Sequence, residues 1–284
     1  MRAGSWHGTG NRSVRPVRVG VTVATVSAAV VAAGQWLGRT AGSTRAERRR
    51  VLQGDELVAD PTLVTTHATT IAAPPERIWP WLVQAGWHRG GWYTARWVDR
   101  LLFPANWPSA DAIIPALQHP LVAGDRIPDG PPGTACFVVE HAEAPRLLVL
   151  HSTTHVPASW RERLGTALDF DWLWTFALDP TPDGGTRLLL RTRARTAPWW
   201  FTAAYQATLV PADFVMARSM FHGLRTRVAP RRATRPAGPP PGAAGRAARA
   251  GPGSRARRPR ALEAAPRPGC SPARRRPGGP RRAR

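Results

Sequence analysis

The chain has 284 residues, a formal net charge of +22 and 13 tryptophans, and all 40 of its basic residues are arginine. Residues 1–53 carry a charge of +8, residues 54–227 carry −1 and residues 228–284 carry +15. A nucleic-acid-binding domain concentrates basic residues on its folded part, so the nearly neutral middle segment argues against nucleic acid as a partner.

These shifts in composition divide the chain into three predicted parts. Residues 1–53 form a basic leader, residues 60–228 form one folded domain, and residues 229–284 form a tail rich in Arg, Pro, Gly and Ala. The tail contains no aromatic residue and cannot bury enough apolar surface to fold, so we expect it to be disordered. It could bind nucleic acid or acidic lipids through arginine, be a solvated appendage, or result from a shifted reading frame.

The leader contains an apolar run at residues 19–37, VGVTVATVSAAVVAAGQWL, without a charged residue. As a helix this run would rise roughly 28 Å, about the thickness of one bilayer hydrocarbon core. We therefore predict a transmembrane helix at about residues 19–37 and a single-pass membrane protein. The alternatives are a secretory signal cleaved near Ala33, since Arg12, Arg15 and Arg18 form a basic region before the run, and a soluble amphipathic or disordered leader.

The folded domain opens with a strand, a helix and an aromatic loop. Residues 61–71 contain five Thr together with Val, Leu and Ile, as is typical of a strand. Pro74 and Pro75 favour a helix start, and the helix is predicted to run to about Gln84. Trp87, Trp92 and Tyr93 then alternate with glycines in a loop, and this order is typical of the front of a ligand-holding cup.

Short helices and then a series of strands are predicted to follow. Helical patterns cover residues 95–103 and 110–118, and strand patterns cover residues 125–130, 134–141, 146–152 and 170–178. The sequence Asp183-Gly184-Gly185 predicts a hairpin turn back into a further strand.

The strand at residues 170–178 alternates strictly, with five large apolar residues on one face: Phe170, Trp172, Trp174, Phe176 and Leu178. The returning strand places Leu188, Leu190 and Thr192 on one face. Its other face carries Leu189 and four arginines: Arg187, Arg191, Arg193 and Arg195. This pattern predicts an antiparallel sheet with one buried face and one face exposed to water.

A final helix is predicted at residues 211–228. Its apolar positions recur at three- and four-residue steps: Phe214, Ala217, Phe221, Leu224 and Val228, with Met220 beside them. Asp213 lies near the predicted start, where it would interact with the helix dipole.

The order of strand, helical connection, strand meander and long terminal helix resembles the START-like SRPBCC superfamily. That superfamily includes polyketide cyclase/dehydrase-type and lipid-transfer proteins, and the likeness is to an actinobacterial branch of unassigned function. Its motifs are a PPE-x-x-WPWLVQ-x-G helix, an RGGWY loop, a GD-x-IPDGP turn, a W-x-W-x-F strand and a P-x-DF-x-M-x-R-x-M helix. In this chain they begin at Pro74, Arg89, Gly124, Trp172 and Pro211. After Tyr93, Thr94-Ala95-Arg96 replaces a Ser-Tyr-Asp-like run.

The resemblance implies an α+β helix-grip fold over residues 60–228, in which a curved antiparallel sheet surrounds the last helix and encloses a ligand cavity. We predict that aromatic and apolar side chains bind a small hydrophobic molecule such as a lipid, isoprenoid or polyketide. The predicted cavity residues are Trp79, Trp87, Arg89, Trp92, Tyr93, Trp172, Trp174, Phe176, Phe214, Met220 and Phe221. Tyr93 or Arg89 would orient a polar end. A filled core without a cavity has the same residue pattern.

No catalytic or metal-ligating set is evident. His151 and His155 have no third ligand nearby, and Asp171 alternates with Trp172 and so is predicted to face solvent. No nucleophile elbow, Walker loop or dinucleotide fingerprint is present. We therefore predict no metal and no cofactor, and we favour binding over catalysis. The alternative is a cyclase- or dehydratase-like enzyme acting in the same cavity, with a His or Asp moving a proton.

Overall fold

The computed structural model describes residues 25, 29–102, 104–156 and 158–229. Nearly all of the predicted tail, and the apolar run before residue 29 except residue 25, lie outside these residues. The helices are α1 (residues 29–40), α2 (Arg45–Arg49), α3 (Pro75–Val83), α4 (Arg96–Leu102), α5 (Ala158–Leu164) and α6 (Trp199–Val228). The strands are β1 (Leu63–Ile71), β2 (Arg126–Pro128), β3 (Cys136–Glu143), β4 (Leu147–Ser152), β5 (Asp169–Pro180) and β6 (Thr186–Ala197).

The six strands form one antiparallel sheet in the order β1-β6-β5-β4-β3-β2. Its two longest strands, β5 and β6, form a hairpin that pairs from Asp169 with Ala197 to Pro180 with Thr186. The turn between them contains the predicted Asp183-Gly184-Gly185, and Gly184 has a φ of +78°, a conformation that glycine adopts without strain. The predicted α+β class, with an antiparallel sheet and a long C-terminal helix, is confirmed.

Helix α6 is longer than the sequence suggested. It begins at Trp199 rather than at Pro211 and has 30 residues, with Pro211 inside it. A proline is tolerated at a helix start, and in the interior it removes one backbone hydrogen bond, so the sequence favoured the wrong position for it. One side of α6 packs on the inner face of the sheet and forms the main core with residues such as Phe137, Leu150, Trp174, Phe176, Met216, Met220 and Leu224.

The outer face of the sheet is covered, so the predicted water-exposed face is wrong. Helix α2 and a one-turn helix at Asp55–Val58 lie against it. Leu189 is fully buried there, and Arg191 is only 2% exposed. Arg191 Nη1 donates to Asp55 Oδ2 over 2.7 Å, so this arginine is neutralised by a residue distant in sequence.

The predicted division of the chain at residues 1–53, 60–228 and 229–284 is not tested by the structure and stays a prediction.

The prediction of a single-pass membrane protein is wrong. Within residues 25, 29–102, 104–156 and 158–229, no helix is both long and apolar enough to cross a membrane. The described end of the apolar run continues through α1 to residue 40 and packs on α6. Gly38 is buried, a Cβ added there would lie 2.6 Å from Val210 Cγ1, and Arg39 Nη2 donates to Gln206 Oε1 over 3.0 Å. Cleavage near Ala33 is not tested.

Most of the shorter predicted elements are present, with one exception. α3 and α4 match the predicted helices, but residues 110–118 contain only a single helical turn at Pro115–Leu117. Pro115 lacks an N–H group and disfavours the helical conformation for Ile114 before it. Ile114 accordingly has an extended backbone.

Candidate functional site: an aromatic cavity beside α6

Part of the predicted cavity is a filled core. Eight side chains around the aromatic loop and the centre of β5 meet with no space for a water molecule between them: Leu82, Ala85, Trp92, Tyr93, Leu148, Leu150, Phe176 and Met220. The rings of Trp92 and Trp174 touch edge to face with their centroids 5.3 Å apart, and Phe137 stacks on Trp174 at 5.0 Å. In this region the packing favours the alternative interpretation of the sequence, a filled core without a cavity.

An open cavity of about 320 Å³ lies nearby, beside Trp172. A volume above about 300 Å³ is typical of small-molecule pockets. The lining is mostly apolar with a few polar groups and consists of Gly133, Thr134, Ala135, Thr154, His155, Val156, Arg161, Trp172, Tyr205 and Leu209.

The first half of α6 supplies one wall of this cavity. Tyr205 and Leu209 lie four residues apart and so share a face of the helix. Tyr205 meets Trp172 edge to face at 6.2 Å, and His155 meets Trp172 at 4.8 Å. Because the sequence pattern placed the start of α6 at Pro211, it missed both helical residues of this wall.

His155 is fixed by a chain of hydrogen bonds. Its Nε2 lies 2.7 Å from Asp129 Oδ2, and its Nδ1 lies 2.7 Å from Ser152 Oγ. The other oxygen of Asp129 accepts from Trp92 Nε1 over 2.6 Å. The sequence showed no convergence of acidic and basic groups, and the fold brings these together. Since both ring nitrogens have partners, His155 presents a ring face rather than a free nitrogen to the cavity.

Two polar groups in the cavity wall lack partners. Trp172 Nε1 and the Tyr205 hydroxyl are buried and make no hydrogen bond within the described residues. Burial, with a smaller contribution from Asp213, raises the pKa of Tyr205 well above its usual value, so its hydroxyl remains a donor. Leaving a buried donor unpaired costs about 1–3 kcal/mol.

The predicted loop residues support α3 instead of lining the open cavity. Arg89 donates from Nη2 to Val83 O over 2.9 Å and from Nε to Ala85 O over 3.0 Å, so it satisfies carbonyls at the end of the helix. Burial lowers the pKa of its guanidinium. The Tyr93 hydroxyl donates to Trp81 O over 2.6 Å.

Two predicted tryptophans near α3 also lie away from the open cavity. Trp79 packs partly buried against the main core. Trp87 is 6% exposed and stacks on the ring of His88, which stacks in turn on Trp107. Neither is among the cavity's lining residues.

Phe214 is not part of the main core. Its ring lies 6.4 Å from that of His67, and the guanidinium of Arg218 lies 5.7 Å above it. Asp213, the residue before Phe214, faces strand β1 instead and is 4% exposed. The predicted dipole role for Asp213 is wrong, because α6 begins 14 residues earlier at Trp199. Met220 and Phe221 do belong to the main core.

Asp171 is not free in solvent as the alternation predicted. Its carboxylate is 14% exposed, pairs with His151 and lies 3.5 Å from Arg195 Nη2. In the part of the chain that the structure describes, no three His, Cys, Asp or Glu residues are grouped so as to hold a metal ion.

No protein-family model and no curated protein matches this sequence. Similar solved structures include a protein from Mesorhizobium loti with 17% identity, 58% of this chain and 96% of that chain covered, and a TM-score of 0.31. A Rhodobacter sphaeroides protein has 21% identity, with 59% of this chain and 93% of that chain covered and a TM-score of 0.36. CalU16 from Micromonospora echinospora has 15% identity, with 58% of this chain and 83% of that chain covered and a TM-score of 0.29. Because these TM-scores are below 0.5, the similarities carry no argument about this chain. Membership of the START-like SRPBCC superfamily stays a prediction.

Proposed function

We propose that this domain binds a small, mostly apolar molecule in the cavity between β5 and the first half of α6. The observation that carries the proposal is an open volume of about 320 Å³ walled by Trp172, Tyr205, Leu209 and Val156. Transfer of apolar surface from water into such a site contributes roughly 25 cal/mol per Å². The sheet and its long C-terminal helix support assignment to the helix-grip type of fold.

The ligand carries a hydrogen-bond acceptor as well as an apolar body. Trp172 Nε1 and the Tyr205 hydroxyl are donors without a partner in the described residues. A carbonyl, ether or hydroxyl oxygen beside them would recover about 0.5–1.5 kcal/mol for each bond made. Polar lipids, oxygen-containing isoprenoids and polyketides combine such an oxygen with an apolar body.

A cyclase- or dehydratase-like enzyme is the second candidate, and the contact between Asp129 and His155 in the cavity wall favours it. Such a dyad can move a proton when a ring nitrogen faces the substrate. In His155 the second nitrogen already contacts Ser152, so catalysis requires that bond to open. We therefore rank binding first. A co-purified molecule whose mass changes during incubation with the protein, but not with His155→Gln, would reverse this order.

Titration of the full chain with the neutral fluorophore N-phenyl-1-naphthylamine tests the binding proposal. The expected result is saturable fluorescence enhancement with energy transfer from tryptophan. Leu209→Trp inserts a larger side chain into the cavity and should weaken binding at least about tenfold, which corresponds to about 1.4 kcal/mol.

Val122→Trp is the matched control, because Val122 is 59% exposed and does not line the cavity. Its affinity for the fluorophore should equal that of the wild type. Equal weakening by both substitutions, or no saturable binding by the wild type, argues against the proposal.

A further inference from the structure

A second cavity, of about 480 Å³, lies between the edge strand β1 and α6. It shares no lining residue with the aromatic cavity. Its walls include Gly42 of the α1–α2 turn, His67 of β1 and three arginines, Arg187, Arg218 and Arg225. No sequence pattern groups these residues, because they come from four separate segments.

The charges around this cavity are not balanced. Arg187 is neutralised, since its Nε lies 2.7 Å from Glu47 Oε1. Arg225 donates to uncharged acceptors on β1, the carbonyl oxygen of Thr70 and the hydroxyl of Thr69. Arg218 lies over the Phe214 ring. Neither Arg218 nor Arg225 has an acidic partner among the described residues, so two guanidinium groups at one cavity favour an anion.

His67 adds an independent indication of a ligand. Its side chain is only 1% exposed, and its Nε2 lies 3.0 Å from Asp213 Oδ2. Its Nδ1 is also buried and has no hydrogen-bond partner within the described residues. Native proteins rarely leave such an atom unpaired.

A phosphate monoester fits both observations. Its oxygens accept from guanidinium groups in a charge-assisted geometry. Its second proton dissociates with a pKa of about 6, so near neutral pH it carries either a hydroxyl or only acceptor oxygens. A phosphate hydroxyl can therefore donate to the Nδ1 of a neutral His67, and a phosphate oxygen can accept from the Nδ1–H of a protonated His67. A carboxylate near neutral pH carries no proton and can only accept.

We propose that the cavity between β1 and α6 binds a phosphate monoester, with Arg218 and Arg225 donating to its oxygens and His67 Nδ1 completing the contact. The phosphate can belong to a soluble compound or to a lipid headgroup such as that of phosphatidic acid. Both sources present the same chemistry to this cavity, and the experiment separates them.

The test uses the full chain with ¹⁵N label. Inorganic phosphate is titrated at constant ionic strength while the Nε–Hε signals of Arg218 and Arg225 and the amide of Gly42 are followed. In parallel, flotation measures binding to phosphatidylcholine vesicles with and without phosphatidic acid. The variants are Arg218→Gln and the double variant Arg218→Gln/Arg225→Gln. The matched control is Arg146→Gln/Arg163→Gln, which removes the same charge from exposed positions between β3 and β4 and on α5.

We expect saturable shifts at the three reporters in the wild type and the same affinity in the control. In the double variant the Gly42 amide is the remaining reporter, and the affinity that it reports should be at least about tenfold weaker. Saturation by inorganic phosphate with vesicle binding that is the same in the double variant and the control assigns a soluble compound, and vesicle binding that the double variant alone loses assigns a lipid headgroup. The proposal is overturned if neither ligand distinguishes the double variant from the control. Arg218 makes no hydrogen bond within the described residues, so Arg218→Gln alone keeps the test valid if the double variant does not fold.

Discussion

Asp213 Oδ2, in the middle of α6, lies 3.0 Å from Nε2 of His67 on β1, and neither side chain is more than 2% exposed. Thr65 Oγ1 donates to the same carboxylate oxygen over 2.6 Å. These contacts fix α6 against the edge strand at one register, within an interface that is otherwise largely apolar. The two cavities lie against the helix that this contact positions.

Asp213→Ala should lower the free energy of unfolding by about 3–5 kcal/mol, because it leaves buried polar partners uncompensated. Urea unfolding followed by tryptophan fluorescence measures this loss. Asp60→Asn is the control, since Asp60 is exposed, and its effect should stay within about 0.5 kcal/mol. Equal stabilities for Asp213→Ala and the wild type would show that the buried contact does not hold the helix.

The ion pair between Arg191 and Asp55 on the outer face of the sheet gives a second prediction. Asp55→Ala should destabilise by about 3–5 kcal/mol, because it leaves the buried guanidinium without its carboxylate. The double variant Asp55→Leu/Arg191→Met should recover most of that loss, since apolar side chains avoid the desolvation cost of both charges. Chemical unfolding of both variants decides this, and a double variant less stable than Asp55→Ala contradicts it.

Stability should fall in acid partly through Glu47. Its hydrogen bond with Arg187 is the main reason that its pKa is lowered from 4.5 to about 2. A carboxylate with a lowered folded-state pKa contributes stability above its unfolded-state pKa and loses it as the pH falls through the folded-state value. The difference in unfolding free energy between wild type and Glu47→Gln should therefore be constant above about pH 5 and shrink between about pH 4.5 and pH 2. A difference independent of pH over this window contradicts the pairing.

Two tyrosines should respond oppositely to removal of the hydroxyl. Burial raises the pKa of Tyr93, so its hydroxyl stays neutral and donates to Trp81 O. Tyr93→Phe should lose about 1–3 kcal/mol of stability and keep its affinity for N-phenyl-1-naphthylamine. Tyr205→Phe should lose no stability and should gain up to about 1–3 kcal/mol, because it removes a buried hydroxyl that has no partner in the described residues. Thermal unfolding compares them, and equal losses would contradict the assigned contacts.

The elements that depend on local sequence were predictable. The alternation along residues 170–178 and the turn at Asp183 to Gly185 define the β5–β6 hairpin, which the structure contains. Pro74 and Pro75 likewise mark the start of α3. In these cases the residues that set the conformation lie within a few positions of one another.

Features that depend on distant contacts were not predictable. The cover over the outer sheet face comes from residues 45–58, whose packing on Leu189 and Arg191 has no local signal. Pro211 led to a late start for α6, which hid Tyr205 and Leu209. The position of the cavity was missed because Trp172 beside an opening and Trp174 in a filled core are the same residue type on the same strand face.

The most direct test of the binding proposal is where a small apolar molecule sits on the protein. Intermolecular nuclear Overhauser effects between N-phenyl-1-naphthylamine and assigned side-chain protons of the ¹³C-labelled full chain report this. We predict contacts to the rings of Trp172 and Tyr205 and to the methyl groups of Leu209. Contacts only to the exposed rings of Trp199 and Trp200, which are 80% and 42% exposed, would contradict the account.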